Sequence, residues 1–421
     1  MTAVPDIDLV DPGTYERDGV PHDQLAWLRE HDPVHRHPGD PAQGTPPFWA
    51  ITRHEDVVYV SRHPEIFSSY ARLALFEEPT DEQLALQRKM MLNEDPPRHT
   101  RKRAIVNRGF TPRAIAALEE HVREICRDLV AEVTASGRAA SGFDFVRDIA
   151  APLPLYVICE LLGAPAADRD KIFTWSNTLI GADDPEFQSD PEQGMAAATA
   201  LYAYANELAA ARRDAPRDDI VTKLLQPDAD GNVLTGDEFE LFVMLLSVAG
   251  NETTRNAASG GMAAFFDHPE QWERLRADPG LVRTAVDEIV RWVSPVNLFK
   301  RTAVRDTELR GRKIREGDKV VVFYASANRD EEVFDDPFAF DVGRDPNPHL
   351  GFGGGGPHYC LGSHLARLEL RVLFETLLDA MPNIELSGNL RRLRSSFING
   401  IKEMPVRVRE DRGVQKASAR A

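Results

Sequence analysis

His349-Leu-Gly-Phe-Gly-Gly-Gly-Gly-Pro-His-Tyr-Cys-Leu-Gly362 is the stretch on which the reading of this chain turns. Four consecutive glycines let a backbone approach a flat or phosphate-bearing group closely. An amphipathic segment, Leu361–Ala380, follows at once. Gly351, Gly353 and Gly356 also satisfy the G-x-G-x-x-G spacing of a dinucleotide site. The context is wrong for one: Pro346-Asn-Pro-His349 stands where a buried strand must lead in, and Pro357 follows the third glycine.

Cys360 carries the sharper reading. Just before a helix, free amides and the positive helix end favour a thiolate. A thiolate so placed suits the fifth ligand of haem iron, whose electron donation favours O–O cleavage. The competing reading of an isolated cysteine is a small residue packed beneath a helix.

Three upstream segments bear on the choice. Leu241-Phe-Val-Met-Leu-Leu-Ser-Val-Ala-Gly-Asn-Glu-Thr-Thr254 is an apolar helix with Ala249-Gly250 and then Glu252-Thr253 deep within it. Small residues free space beside a cofactor, and an acid next to a hydroxyl relays protons; a capped helix end is the alternative. Asp95-Pro-Pro-Arg-His99-Thr-Arg-Lys-Arg103 places His99 and Arg103 four apart on one helical face, suited to a carboxylate or to solvent. Glu288-Ile-Val-Arg291 matters for its place, about seventy residues before Cys360 on an amphipathic helix.

Composition narrows the classes. The 421 residues carry 50 basic and 67 acidic side chains, a formal net charge of −17, which argues against nucleic acid or a polybasic membrane surface as partner. The three cysteines are far apart, and no CxxC, CxxCH or HExxH occurs, so a disulfide framework, a zinc ribbon, c-type haem attachment and a zincin site are disfavoured. The acidic N-terminus lacks a signal-peptide pattern, and the longest strongly apolar stretch, Leu241–Ala249, is shorter than the roughly 20 residues a membrane span needs. A cytoplasmic protein without a membrane span is expected.

Periodicity predicts helices at His22–Glu30, Glu55–Ser61, His99–Asn107, Pro112–Ser136, Pro152–Leu162, Pro191–Arg213, Gly236–Phe266, Pro269–Leu275, Gly280–Val293 and Leu361–Ala380. Strand-like runs are Phe48–Thr52, Val57–Val60, Asp318–Tyr324 and Pro405–Val408. The expectation is a mainly α fold with a minor β part: an N-terminal arm over 1–20, a single domain over 21–409 and a polar tail over 410–421.

In this order and at these spacings, the four segments resemble the cytochrome P-450 superfamily of haem-thiolate monooxygenases over nearly the whole chain. There are two departures. Phe352 lies eight residues before Cys360, one more than the commonest spacing, and Pro337-Phe-Ala-Phe340 has alanine where the family's meander arginine is expected. Arg329, Arg344 and His349 are therefore the candidates for third partner of Glu288 and Arg291. The longer loop, with Gly250–Asn256, Val60–Ser69 and Arg108–Ile115, is similar to the actinobacterial branch that hydroxylates steroid side chains and methyl-branched lipids at terminal carbons.

The resemblance implies RH + O2 + 2 electrons + 2 protons → ROH + water on haem b, with Cys360 as the iron ligand. It implies that His99, Arg103, Arg301 and His358 hold the propionates and that Glu252 and Thr253 deliver protons. Glu288 and Arg291 form a buried ion pair, and Val248, Val296, Leu298, Phe397 and Ile398 line a substrate pocket roofed by Ser68–Leu92. The substrate implied is a long hydrophobic molecule with one polar end. Electrons are expected from a ferredoxin and its reductase, with His364, Arg367 and Arg371 as a basic stripe suited to an acidic ferredoxin. A tailoring oxidase of a secondary-metabolite pathway shares these motifs. A haem sensor without turnover is the reading from another class, against which Glu252 and Thr253 stand.

Overall fold

Val282, Val286, Ile289 and Val293 recur at helical spacing, and in the computed structural model they are all buried on one face of the helix Val282–Val293. The structure describes residues 7–40, 44–76, 80–180, 186, 191–228 and 230–409. That face packs on the helix Gly236–Asp267, which at 32 residues is about 48 Å long and crosses the molecule. The long helix starts at Thr235, whose side chain accepts the Glu238 N–H while the Glu238 carboxylate accepts the Thr235 N–H. Close contact at the crossing depends on Gly260 and Gly261. A Cβ there would sit 2.7 Å from Val293 Cγ1 and from Ile289 Cγ2. The helix Ser363–Ala380 completes the core with Leu365, Leu368, Val372, Leu373 and Leu377.

The β part is smaller. Its main sheet runs Val34–His37, Phe48–Ile51, Lys319–Phe323, Leu298–Ala303, Phe67–Ser68 in space. Only the pairing of Phe48–Ile51 with Lys319–Phe323 is parallel. With 54% helix and 12% strand, the mainly α expectation holds.

Local differences have physical causes. Pro112–Ser136 divides into Pro112–Ala116 and Glu119–Ala135. Val57–Val60 is helical within His54–Arg62: Val57 and Val60, one turn apart, are both buried, so helical burial outweighs the β-branched preference for a strand. Part of the loop expected at Ser68–Leu92 is the helix Asp81–Gln87. Near the N-terminus, Pro12–Asp18 is helical, and Leu9 is fully buried with Leu25, Leu28 and Phe48. The expected tail over 410–421 lies outside the described residues.

Candidate active site

The glycine run is shaped by a helix, not by a nucleotide. Gly356 has φ +72°, and a Cβ on it would lie 2.4 Å from the carbonyl oxygen of Ser61 on His54–Arg62. Gly353 and Gly355 also take positive φ, +100° and +83°. Eight residues after Phe352, the Cys360 N–H donates to Phe352 O at 2.9 Å. Burial raises the Cys360 thiol pKa, opposed by the Gly362 amide and by Arg103 and Arg367.

Cys360 opens on a cavity of about 250 Å³. Opposite stands one face of the long helix: Thr253 with Ala249 and Gly250 a turn earlier, then Leu246 and Phe242 at i−7 and i−11. Met91, Leu92, Val296 and Phe299 add to an apolar lining. Thr253, which lines the cavity, donates from Oγ1 to Ala249 O at 2.8 Å.

His99, Arg103, Arg301 and His358 converge on one side of this cavity. The two imidazoles are 4.4 Å apart, and His99 Nδ1 and His358 Nε2 are buried without hydrogen-bond partners. Burial, then Arg103, takes the His99 pKa down to about 4; burial, Arg301 and His99 push His358 well below its ordinary value. Burial also lowers Arg103 and Arg301. Among the described residues no carboxylate pairs with any of the four. So many donors without an acid, beside a thiol and an apolar slot, fit a flat ligand that carries its own carboxylates, as haem does.

Glu288 and Arg291 are fully buried, with two contacts of 2.7 Å. Arg291 also donates to the carbonyls of Asn328, Pro337 and Ala339. Of the three candidates, Arg344 is the third partner, its Nε 3.2 Å from Glu288 Oε2. Asn347 donates to the same oxygen at 3.1 Å, tying the pair to the approach to the cysteine loop. Arg329 instead caps the carbonyls of Arg291 and Trp292, and His349 contacts Asp287.

Other expected site residues are placed elsewhere. Glu252 is buried off the cavity, bonded to Arg255 and, at 2.7 Å, to Asn256, with Oε2 unpartnered. Val248 does not line the cavity, since five residues before Thr253 is a different helical face. Leu298 is buried among Leu9, Leu25 and Phe48, because alternation along Leu298–Ala303 sends Phe299 and Arg301 to the cavity instead. Phe397 stands behind Phe299 with ring centroids 5.5 Å apart, and Ile398 bridges Val296. Phe299 is the residue that alternation from Arg301 would have found. Among the described residues of the roof segment, only Met91 and Leu92 line the cavity; Leu73 is buried, and Phe76 packs edge-on against Phe48.

The basic stripe is largely neutralised. Arg367 pairs with Asp287 at 2.7 Å, and Arg371 with Glu119 and Glu375; only His364 is exposed.

Comparison with known proteins agrees with this geometry. A family model for cytochrome P450 matches residues 192–381. The chain is 46% identical over 405 residues to a steroid C26-monooxygenase of Rhodococcus jostii, covering 95% of this chain and 84% of that one. It is equally identical over 359 residues to a methyl-branched lipid omega-hydroxylase of Mycobacterium tuberculosis, covering 85% and 83%. A solved structure of a Mycobacterium marinum cytochrome P450 in complex with pseudoionone aligns with TM-score 0.87 at 37% identity, covering 97% of this chain and 99% of that one.

Proposed function

The chain belongs to the cytochrome P450 family and is a haem monooxygenase; from that premise we propose that it hydroxylates a terminal carbon of a steroid side chain or methyl-branched lipid. The observation that carries this reading is the apolar lining from Phe242 to Phe299, which faces Thr253 and Cys360 across one cavity. Haem b held by the Cys360 thiolate supplies the activation of O2 and the transfer of one oxygen atom to carbon. His99, Arg103, Arg301 and His358 hold its carboxylates. The slot between Phe299 and the long helix keeps water from the reacting carbon and orients the chain end toward Cys360. Thr253, whose hydroxyl hydrogen is donated to Ala249 O at rest, would relay a proton by turning that hydrogen into the cavity as Oγ1 accepts another from behind. Glu252, buried nearby with Arg255 and Asn256, is assigned the passage of protons to this relay.

Two measurements test these roles. Spectral titration with steroids, branched fatty acids and terpenoids should favour long apolar ligands. Each buried methylene adds roughly 0.8 kcal/mol, about fourfold in affinity, until the cavity is filled. Small polar compounds giving the largest shifts would end the substrate assignment. Thr253→Ala should leave haem content intact while diverting most reducing equivalents to peroxide, with product per electron falling by about tenfold or more. Unchanged coupling would reduce Thr253 to a helix residue.

Electrons reach a protein of this fold from outside partners, and no helix among the described residues is long and apolar enough to cross a membrane. We propose a ferredoxin with its reductase as the donors. Because Asp287, Glu119 and Glu375 already engage the arginines of the stripe, docking there exchanges existing ion pairs rather than filling free positions.

A further inference from the structure

Glu369 has no part in the roles assigned above. It follows Cys360 by nine residues, is 2% exposed, and lines the same cavity as Cys360, Thr253 and Ala257. Its Oε2 has no hydrogen-bond partner, and no cation of the described residues pairs with it. Ionising a carboxyl there is unfavourable, and burial alone pushes its pKa up to about 8.

The surrounding groups leave its charge unanswered. From Glu119–Ala135 comes Cys126, a neutral buried thiol that feels the charge of Glu369. The long helix presents Thr253 and Thr254, while its Glu252 and Arg255 bind each other. On Val282–Val293, Asp287 is held by His349 and Arg367, and Glu288 by Arg291 and Arg344. Arg113 on Pro112–Ala116 is exposed. Along its own helix, Arg371 and Glu375 pair with each other and with Glu119 and Arg123.

We propose that Glu369 is the proton-binding site coupled to reduction: as one electron from the external donor enters the haem held by Cys360, one proton from solvent binds the Glu369 carboxylate. The only bond formed is that O–H, the iron is reduced by one unit, and the net charge of the cavity is unchanged. Where Glu369 is already protonated, reduction requires no proton uptake. Above its pKa the electron and the proton arrive together, because added negative charge favours the neutral acid.

The inference rests on the haem-thiolate reading, and the experiment separates the two. Reduction potentials of the haem-loaded protein are measured from pH 6.5 to 9.5, with the carbon monoxide spectrum recorded on the same samples. The wild type should be level at low pH and, above about pH 8, fall with a slope approaching 59 mV for each tenfold drop in proton concentration. Glu369→Gln should be level throughout. A level wild type, or a slope that survives in Glu369→Gln, overturns the proposal, while a lost thiolate spectrum in the wild type would overturn the haem reading instead. Infrared spectra supply a second readout: a protonated carboxyl band at neutral pH, absent in Glu369→Gln. A wild type without any buried protonated carboxyl band overturns it too. Should Glu369→Gln fail to load haem, Glu369→Asp must move the onset of the slope; an onset that stays in place counts against Glu369.

Discussion

Replacing Arg291 with alanine is expected to cost about 3–5 kcal/mol of stability, a large share of the roughly 5–15 kcal/mol a folded protein has. The substitution leaves Glu288, itself fully buried, without its bidentate partner. It also strips donors from the carbonyls of Asn328, Pro337 and Ala339, buried acceptors on a segment with no regular structure of its own. Arg344 remains beside Glu288 and softens the loss without restoring it. Through Asn347 the damage passes to the cysteine loop, so haem occupancy should fall together with thermal stability. Arg371→Ala is the control: its partly exposed pairs with Glu119 and Glu375 should contribute under about 1 kcal/mol. If thermal unfolding showed Arg291→Ala losing no more than Arg371→Ala, the buried pair would not be what secures the loop.

The ion pair shows where sequence was enough and where it was not. Glu288 and Arg291 share a helix three residues apart, so their meeting is local and legible. Arg344 reaches them across some fifty residues of chain, and nothing in that stretch ranks it above Arg329 or His349; only tertiary placement decides. Long helices with one-sided burial, such as Val282–Val293, were readable for the same local reason, whereas Leu298–Ala303, a strand defined by its neighbours in the sheet, was not.

Of the residues expected to serve the haem and the relay, His99, Arg103, Arg301, His358, Thr253 and Cys360 all line one cavity, whereas Glu252, Thr253's neighbour in the motif, faces away from it. Of the five residues expected to line the substrate pocket, Val296 does so and Val248, Leu298, Phe397 and Ile398 do not. Val248 and Leu298 each sit one step off the periodicity that reaches the cavity, and Phe299 and Leu246 take their places. Glu369 escaped notice because its meaning comes from an absence of partners, which no local pattern encodes.

Cys360→Ser should abolish the thiolate-type absorption of the reduced, carbon monoxide-bound protein and reduce turnover by at least about a thousandfold, roughly 4 kcal/mol of barrier. No other cysteine can substitute. Cys126 and Cys159 are fully buried and do not line the cavity, and burial pushes the Cys159 thiol up to about 12 and Cys126 further still. Serine preserves the backbone bond from residue 360 to Phe352 O and the glycine turns against Ser61, so the loop has no reason to collapse. Unfolding of the variant should stay within about 1 kcal/mol of wild type, the range of a substitution that opens no cavity and strands no buried charge. His99, Arg103, Arg301 and His358, none of them paired with a carboxylate among the described residues, remain in place to hold carboxylates, so haem should still bind. The decisive comparison is spectral. A variant that keeps the thiolate band would remove Cys360 from the iron, and with it the reason for a glycine loop built so closely around one sulfur.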